Sequence, residues 1–302
     1  MATNNQDQAV RSYALQFREL LTTVFEYQSY FRDFFGGTIQ SLDGVQENED
    51  AFYVKTSDIA VVVGSAYDKD ADVGFGTGTG STSRFGKRTE VIYSNTPAKY
   101  AWEWVFHEGI DRFTVNNDFD SAIADRLDLQ SQALTEKFNN KHSSFISTVA
   151  GKTQKVADIK TEEKILAAFN DLSAYFTNIR AVGTRVAKVT PELYNAIIDS
   201  EYTVREKGST ANIDSNEIVK FKGFVIEETP ADLFQKDEVA YIYVPNIARA
   251  FTGIVTTRAI NSEDFDGVAL QGAGKAGEFI LDDNKKAVAK IVIGEEATDP
   301  EA

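Results

Sequence analysis

Few side chains in this sequence have the chemistry of a catalytic or metal-binding site. The chain has two histidines and no cysteine, which excludes a disulfide, a thiolate nucleophile and a zinc–sulfur site. His107 and Glu108 resemble the start of a zinc-binding helix motif, but that motif requires a second histidine four residues after the first. Asp111 stands there instead, so we interpret His107 as structural and expect no metal site.

The segment from residue 68 to residue 90 is rich in glycine, serine and threonine, and it invites comparison with phosphate-binding loops. Its glycines alternate from Gly74 to Gly80, whereas a dinucleotide fingerprint requires a glycine five residues after the first, where Thr79 stands. Gly86 and Lys87 resemble the end of a phosphate loop, but Arg88 follows them in place of serine or threonine. Both motifs fail, so we interpret the segment as an extended, flexible loop and expect no catalytic or cofactor-binding residue.

The same loop carries a basic cluster, Arg84, Lys87 and Arg88, in an otherwise acidic chain. Acidic residues number 46 against 31 basic ones, which gives a formal net charge of −15. A basic loop on an acidic body favours contact with an acidic surface, such as that of another copy of the chain. We therefore expect these three residues to make contacts between subunits.

Composition and charge bound the class of protein. At 302 residues and 42% hydrophobic, the chain can bury one elaborate core or two smaller ones. The net negative charge argues against nucleic-acid recognition, and the basic residues are too dispersed for a membrane anchor. The longest apolar run, near Ile59–Val63, is too short to span a bilayer, and the polar start predicts no secretory signal.

Apolar spacing predicts one very long helix after Asn117, a plausible N-cap. Its stripe recurs at spacings of four and seven residues, through Phe119, Ile123, Leu127, Leu134 and Phe138. At about 30 residues the helix would be roughly 45 Å long. That length is too great for the middle of an ordinary compact domain.

The N-terminal stretch also shows a helical stripe, which ends at Gly36 and Gly37. The stripe includes Phe17, Leu21, Val24 and Phe31. Further aromatic residues lie off the stripe, so the helix must be covered on more than one side. Two alternatives stay open: a helix packed on its own domain, or an arm packed on a neighbouring subunit.

The remaining elements mix helices and strands without regular alternation, which predicts an α+β fold. Helices are predicted over residues 161–179 and 193–198, the second with Thr190 as N-cap and Pro191 at its first position. Strands are predicted over residues 52–63, 91–93, 100–106, 185–189, 218–226, 239–244 and 251–257. Turns are predicted at Pro97 and over residues 266–277, and a closing hairpin over residues 278–281 and 287–293.

This order of parts resembles the major capsid proteins of tailed bacteriophages, which have the Hong Kong 97-like fold. Residues 106–133, FHEGIDRFTVNNDFDSAIADRLDLQSQA, resemble the entry to the long spine helix of that family. RVAKVTPELYNAI at residues 185–197 is similar to the step that opens its axial domain. KFKGFVIEETP at residues 220–230 resembles a strand of the same domain, and FDGVALQGAGKAGEFIL at residues 265–281 resembles the return to the peripheral domain. The resemblance spans roughly residues 52–294.

The resemblance implies a division of the chain into five parts. These are an N-terminal arm (1–54), an extended loop (55–100), a peripheral domain with the spine helix (101–160 and 259–294), an axial domain (161–258) and a flexible tail (295–302). The named stripe residues would then seat the spine helix on its sheet. Phe17, Leu21, Val24 and Phe31 would pack the arm.

The resemblance also implies a structural role without enzymatic activity. Subunits would join into hexamers and pentamers of an icosahedral virion shell that encloses double-stranded DNA without sequence-specific binding, assembled in the host cytoplasm. The implied partners are other copies of the chain, a scaffolding protein, a portal protein and a decoration protein, with no membrane and no cofactor. Some members cross-link through a loop lysine. Lys87 is a loop lysine here, but no motif identifies the asparagine or the carboxylate that the cross-link requires, so we do not expect one.

Two other functions remain alternatives. A cellular nanocompartment shell of the encapsulin type would share the fold and would be recognised by a pocket for a cargo peptide. An α+β nucleotide-binding enzyme would use the glycine-rich loop, although both phosphate motifs fail there.

Overall fold

The computed structural model describes residues 28–37, 39–41, 50–57, 59, 61, 63, 67, 69, 85, 89–115, 119–201, 212 and 215–294. The predicted N-cap Asn117, and the tail after residue 294, lie outside these residues. Within the described residues, helices and strands mix in an α+β arrangement, as predicted.

Twelve strands and five helices follow one another in the described part of the chain. The strands are β1 (Gln40–Ser41), β2 (Asp50–Thr56), β3 (Ser94–Lys99), β4 (Trp102–Asp111), β5 (Lys152–Val156), β6 (Arg185–Val189), β7 (Lys220–Phe221), β8 (Phe224–Glu228), β9 (Glu238–Tyr243), β10 (Ala248–Asn261), β11 (Gly267–Ile280) and β12 (Val288–Ile293). The helices are α1 (Arg112–Val115), α2 (Phe119–Val149), α3 (Glu162–Asn178), α4 (Pro191–Asp199) and α5 (Asp282–Lys285), with a 3₁₀ turn at Ala231–Leu233.

A six-stranded mixed sheet in the order β5-β12-β9-β6-β8-β7 carries one apolar core. Strand β9 is buried along its whole length, and helices α3 and α4 contribute fully buried residues such as Phe169, Leu172 and Ile197 to this core. Helix α4 begins as predicted, because the Thr190 side chain accepts a hydrogen bond from the Leu193 backbone N–H and Pro191 occupies the first turn.

A four-stranded sheet in the order β1-β10-β11-β4 is built on two strands of 14 residues each, β10 and β11, which pair antiparallel. Strand β4 pairs antiparallel with β11 along its whole length. Helix α2 contacts β4 and β11 in this sheet and β12 in the six-stranded sheet, so one helix is common to both. Its 31 residues confirm the predicted long helix.

Strands β2 and β3 form an antiparallel two-stranded sheet that belongs to a separate compact unit, residues 45–99. In this sheet Pro97 lies opposite Tyr53, so the predicted turn at Pro97 is wrong. Proline lacks a backbone N–H, and the edge strand of a two-stranded sheet tolerates that loss.

Further sequence predictions are wrong. The predicted strand over residues 91–93 is one of them, because those residues precede strand β3, which begins at Ser94. Residues 267–277 form part of strand β11 rather than turns, because Gly272 and Gly274 accommodate the rings of Phe106 and Trp104 of β4. Strands β11 and β12 do not form a closing hairpin, since helix α5 separates them and they lie in different sheets. Residues 30–36 form turns rather than helix, and the two glycines that follow Phe35 have positive φ angles of 81° and 85°.

The predicted domain boundaries remain a prediction. Strands β12 and β5 lie in the same six-stranded sheet as β6 and β9. Residues 248–261 pair instead with residues 267–280.

Candidate assembly surfaces

The middle of helix α2 rests on strand β4 through an aromatic cluster. The Phe138 ring lies 4.8 Å from Trp102 and 5.7 Å from Trp104, measured between ring centroids. The Lys137 ammonium donates a hydrogen bond of 3.0 Å to the backbone carbonyl of Glu103. These contacts fix both the rotation of the helix and its position along the strand.

A polar contact continues the same seam toward the N-terminus of the helix. Arg126 Nε donates to Glu108 Oε2 at 2.7 Å, its second guanidinium nitrogen donates to Glu108 Oε1, and the buried Gln130 amide donates to the same carboxylate. The hydrogen bonds from Arg126 lower the pKa of Glu108, against an opposing effect of burial. Glu108 therefore stays ionised and paired with the helix at neutral pH.

The C-terminal half of helix α2 joins the six-stranded sheet through a buried polar network around Glu238. Ser147 and Lys290 donate to Glu238 Oε1, each at 2.7 Å, and the Tyr241 hydroxyl donates to Glu238 Oε2 at 2.6 Å. Burial, and then the hydrogen bond to Glu238, raise the pKa of Tyr241 well above its usual value. Tyr241 thus stays a neutral donor, and the buried carboxylate has a partner for each oxygen.

Residues 28–37 are anchored on the chain's own core. Phe31, Phe34 and Phe35 are buried there, and Phe34 packs edge-on against Tyr243 at 4.8 Å. The Tyr243 hydroxyl donates to Asp33 at 3.0 Å, and burial raises the pKa of Tyr243 well above its usual value, with the Asp33 charge as the second cause. Phe31 is thus buried in the core of its own chain, and its predicted role in packing the arm stays a prediction.

The sheet face opposite helix α2 is largely polar. A Glu103–Lys275 ion pair at 3.1 Å crosses from β4 to β11, and Arg258 Nε donates to Gln271 Oε1 at 3.0 Å from β10 to β11. Between these two rows stands Val105, with 75% of its surface exposed. The face is therefore available for contact with another surface.

The unit of residues 45–99 presents exposed apolar side chains on either side of its two strands. Val61 and Val63 follow β2 and are 92% and 88% exposed, while Ile92 and Tyr93 precede β3 and are about two-thirds exposed. A two-stranded sheet is marginally stable alone in water, so apolar side chains held out from it favour a partner surface.

Several residues that the sequence predicted to make packing or subunit contacts lie outside the described part of the chain. Arg84, Lys87 and Arg88, together with Phe17, Leu21 and Val24, lie outside the described residues, and their roles remain predictions. Phe85, between the loop cations, is 86% exposed and packs edge-on against Tyr67 at 5.1 Å.

The five stripe residues of helix α2 take different environments. Phe138 packs on the two tryptophans, and Phe119 is half-buried, with the Arg112 guanidinium 4.9 Å from its ring centroid. Ile123 and Leu134 are half-buried, and Leu127 is 37% exposed. Their joint role in seating the helix stays a prediction.

Sequence periodicity missed the most buried positions of this helix, most of which are polar. They are Gln130, Asn139, His142, Ser143 and Ile146. Hydrogen bonds explain three of them: Gln130 donates to Glu108, Ser143 donates to the backbone of Leu233, and Asn139 bonds the backbone of residues 28 and 30. The pattern of polar residues in the sequence did not indicate their burial, because their hydrogen-bond partners are distant in sequence.

Neither a metal cluster nor a membrane-spanning helix is found in the described part of the chain. Among these residues no group of three or more His, Asp or Glu side chains could hold a metal ion. None of the helices described above is long and apolar enough to cross a bilayer.

Comparison with solved structures gives long alignments at low sequence identity. The capsid structure of the cyanophage P-SCSP1u aligns with a TM-score of 0.68 and 11% identity, covering 89% of both chains. The mature capsid of bacteriophage PhiM1 aligns with a TM-score of 0.65 and 12% identity, over 89% of this chain and 88% of that one. The chain has the Hong Kong 97-like capsid fold. A structure from Mycobacterium phage Che8 agrees, with a TM-score of 0.63, 12% identity and coverage of 88% and 92%.

The capsid fold confirms the resemblance that the sequence suggested at the level of fold. No known protein-family profile matches the chain, and no curated protein matches it in sequence. Identities near a tenth mean that architecture was retained while nearly every side chain differs, so the contacts of this capsid fold must be derived from its own residues.

Proposed function

We propose that the chain is the major capsid subunit of a tailed-phage head. Copies would join into hexamers and pentamers of an icosahedral shell that encloses double-stranded DNA. The observation that carries the proposal is the alignment with capsid structures over about nine-tenths of both chains. A likeness over that share of both chains concerns nearly the whole subunit rather than a shared core.

The surfaces of the chain support repeated self-association. Exposed apolar residues of the 45–99 unit favour a protein partner, and the basic cluster Arg84, Lys87 and Arg88 favours an acidic one. The chain itself, at a net charge of −15, supplies such acidic surface. Weak contacts that recur at every subunit make a closed shell stable, because each added contact is effectively intramolecular.

The charge also suits a container for DNA. A strongly basic lining would bind phosphates and hold the genome against the wall, whereas an acidic or neutral lining lets DNA pack without adhering. We propose further that assembly uses a scaffolding protein and a portal protein, takes place in the host cytoplasm and yields a virion shell that a decoration protein can bind. No enzymatic step and no cofactor belong to this role.

Electron microscopy of the purified chain, with and without the scaffolding protein of its own genome, tests the proposal. Closed shells of uniform diameter are the expected result, and light scattering should report the same particles in solution. A chain that stays monomeric under all assembly conditions contradicts a shell function. Shells that form around a protein cargo instead of DNA support the nanocompartment alternative.

A further inference from the structure

His142 is a buried imidazole without hydrogen-bond partners among the described residues, in the C-terminal half of helix α2. The residue is 2% exposed, and neither ring nitrogen has a hydrogen-bond partner among the described residues. A buried polar group without a partner costs free energy and calls for an explanation. The chain has only one other histidine, the exposed His107, so the two differ fully in environment.

The ring of His142 is held between the helix and the anchored N-terminal segment. Phe35 of that segment lies 4.3 Å from the His142 ring, and Phe138 of helix α2 lies 5.5 Å away, measured between centroids. The three rings line a cavity of about 410 Å³ between residues 29–39 and the helix. Opening of the Phe35 contact would therefore give the imidazole access to water.

Charged groups around the ring offer little compensation for an imidazolium. Glu278 of β11 is the facing carboxylate, with its Oε1 3.7 Å from His142 Nε2, but this oxygen already accepts a 3.1 Å hydrogen bond from Trp102 Nε1. The other charges nearby are cationic: Arg32 lines the same cavity, and the Lys141 charge acts on Glu278. Burial raises the pKa of Glu278. Acidification therefore protonates this carboxylate and removes the negative charge that could pair with an imidazolium.

We propose that His142 is a proton-sensitive joint, which holds residues 28–37 on helix α2 while its ring is neutral and releases them when the ring is protonated. The joint couples three elements, because Phe35 belongs to the anchored segment, His142 to the long helix and Glu278 to strand β11. This behaviour is a property of the single chain and does not rest on the shell function.

The direction of the pH effect follows from burial. Burial lowers the pKa of His142 from 6.5 to about 3 in the closed state, whereas a released, hydrated ring returns to about 6.5. The closed state thus has its full stability above pH 6.5 and loses it as the pH falls from there toward 3. Linkage between these two values predicts that the opening equilibrium rises about 30-fold between pH 7.5 and pH 5.

Hydrogen–deuterium exchange of the purified full-length chain measures this opening. The informative amides are those of Gly37, Asn246 and Ala248, which donate to the carbonyls of Arg32, Asp33 and Phe34. After correction for intrinsic exchange, their opening should rise about 30-fold from pH 7.5 to pH 5. The variant His142→Phe should lose this dependence, and the matched control His107→Gln should retain it.

Two results would overturn the proposal that His142 is a proton-sensitive joint. One is exchange at these amides that does not change with pH in the unmodified chain; the other is a pH dependence that persists in His142→Phe. Should that variant fold poorly, an NMR titration of the His142 ring proton in the unmodified chain still decides. A ring that titrates near pH 6.5 while the amides stay protected refutes the proposal.

Discussion

Single glycines on strand β11 determine how closely strand β4 and its aromatic residues can lie. A Cβ on Gly274 would overlap the Trp104 indole, and a Cβ on Gly272 would stand 2.8 Å from the Phe106 ring. In the cross-strand pairs Trp104–Gly274 and Phe106–Gly272, a large aromatic side chain therefore lies opposite a glycine, which has no side chain. At the scale of the residue, these glycines let the helix-facing side of the sheet hold aromatic rings.

The variant Gly274→Val should destabilise the chain by about 1–3 kcal/mol, because the added side chain forces the Trp104 ring or the strand to shift. Ala273→Val puts the same side chain one residue away, at an exposed position on the opposite face, and should change stability by no more than about 0.5 kcal/mol. Urea unfolding measures both. Equal effects of the two substitutions would refute the close-approach role of Gly274.

Helix α2 presents different faces to its surroundings along its length. Near the middle of the helix, Phe138 and Gln130 contact β4. Farther toward the C-terminus, Ser143 and Ile146 are buried instead, and Ile146 belongs to the apolar cluster that includes residues of β9 and β12. A helix that runs from one sheet to another must bury one side first and another later. At the scale of the element, this change of face explains why a single apolar stripe does not describe the helix.

Among the stripe residues, Phe138→Ala should cost the most stability, about 2 kcal/mol or more, because it removes the ring that packs on Trp102 and Trp104. Leu127→Ala on the same helix removes a side chain that is 37% exposed and should cost less than about 1 kcal/mol. Thermal unfolding compares the two. A larger loss from the Leu127 variant would mean that the apolar stripe, rather than the aromatic cluster, seats the helix.

The chain as a whole divides into a large unit, which holds the four-stranded and six-stranded sheets, and a small one, residues 45–99, in which several described apolar residues are exposed. The large unit has two clusters of buried side chains and can account for the stability of the chain. The exposed residues of the small unit contribute little to that stability. At the scale of the molecule, they are therefore the residues to alter when assembly is to be separated from folding.

The variant Val63→Asp should leave the thermal unfolding of the chain unchanged within about 0.5 kcal/mol, because Val63 is 88% exposed. Its yield of closed shells should fall at least about tenfold, since a contact worth only 1.4 kcal/mol changes each association constant by that factor. Val63→Thr keeps the shape and strand preference of valine and serves as the control. Undiminished assembly of Val63→Asp, measured by light scattering, would remove this position from the subunit contacts.

The sequence by itself determined local structure wherever the signal was local. The spacing of apolar residues after Asn117 predicted the 31-residue helix, and Thr190 with Pro191 predicted the start of helix α4. The ordered set of parts also determined the fold, since the α+β capsid architecture was expected from it. These properties depend on neighbours within a few residues, or on chain order, both of which a sequence displays.

Only the tertiary structure decided which side chains face which partner. The glycines of residues 267–277 predicted turns, but the rings of Trp104 and Phe106 lie over two of them and the segment is a strand. Likewise, polar residues of helix α2, His142 among them, are buried because the sheets and residues 28–37 surround them. Burial and pairing of this kind arise between residues distant in the chain, so the spacing of residue types along the sequence does not determine them.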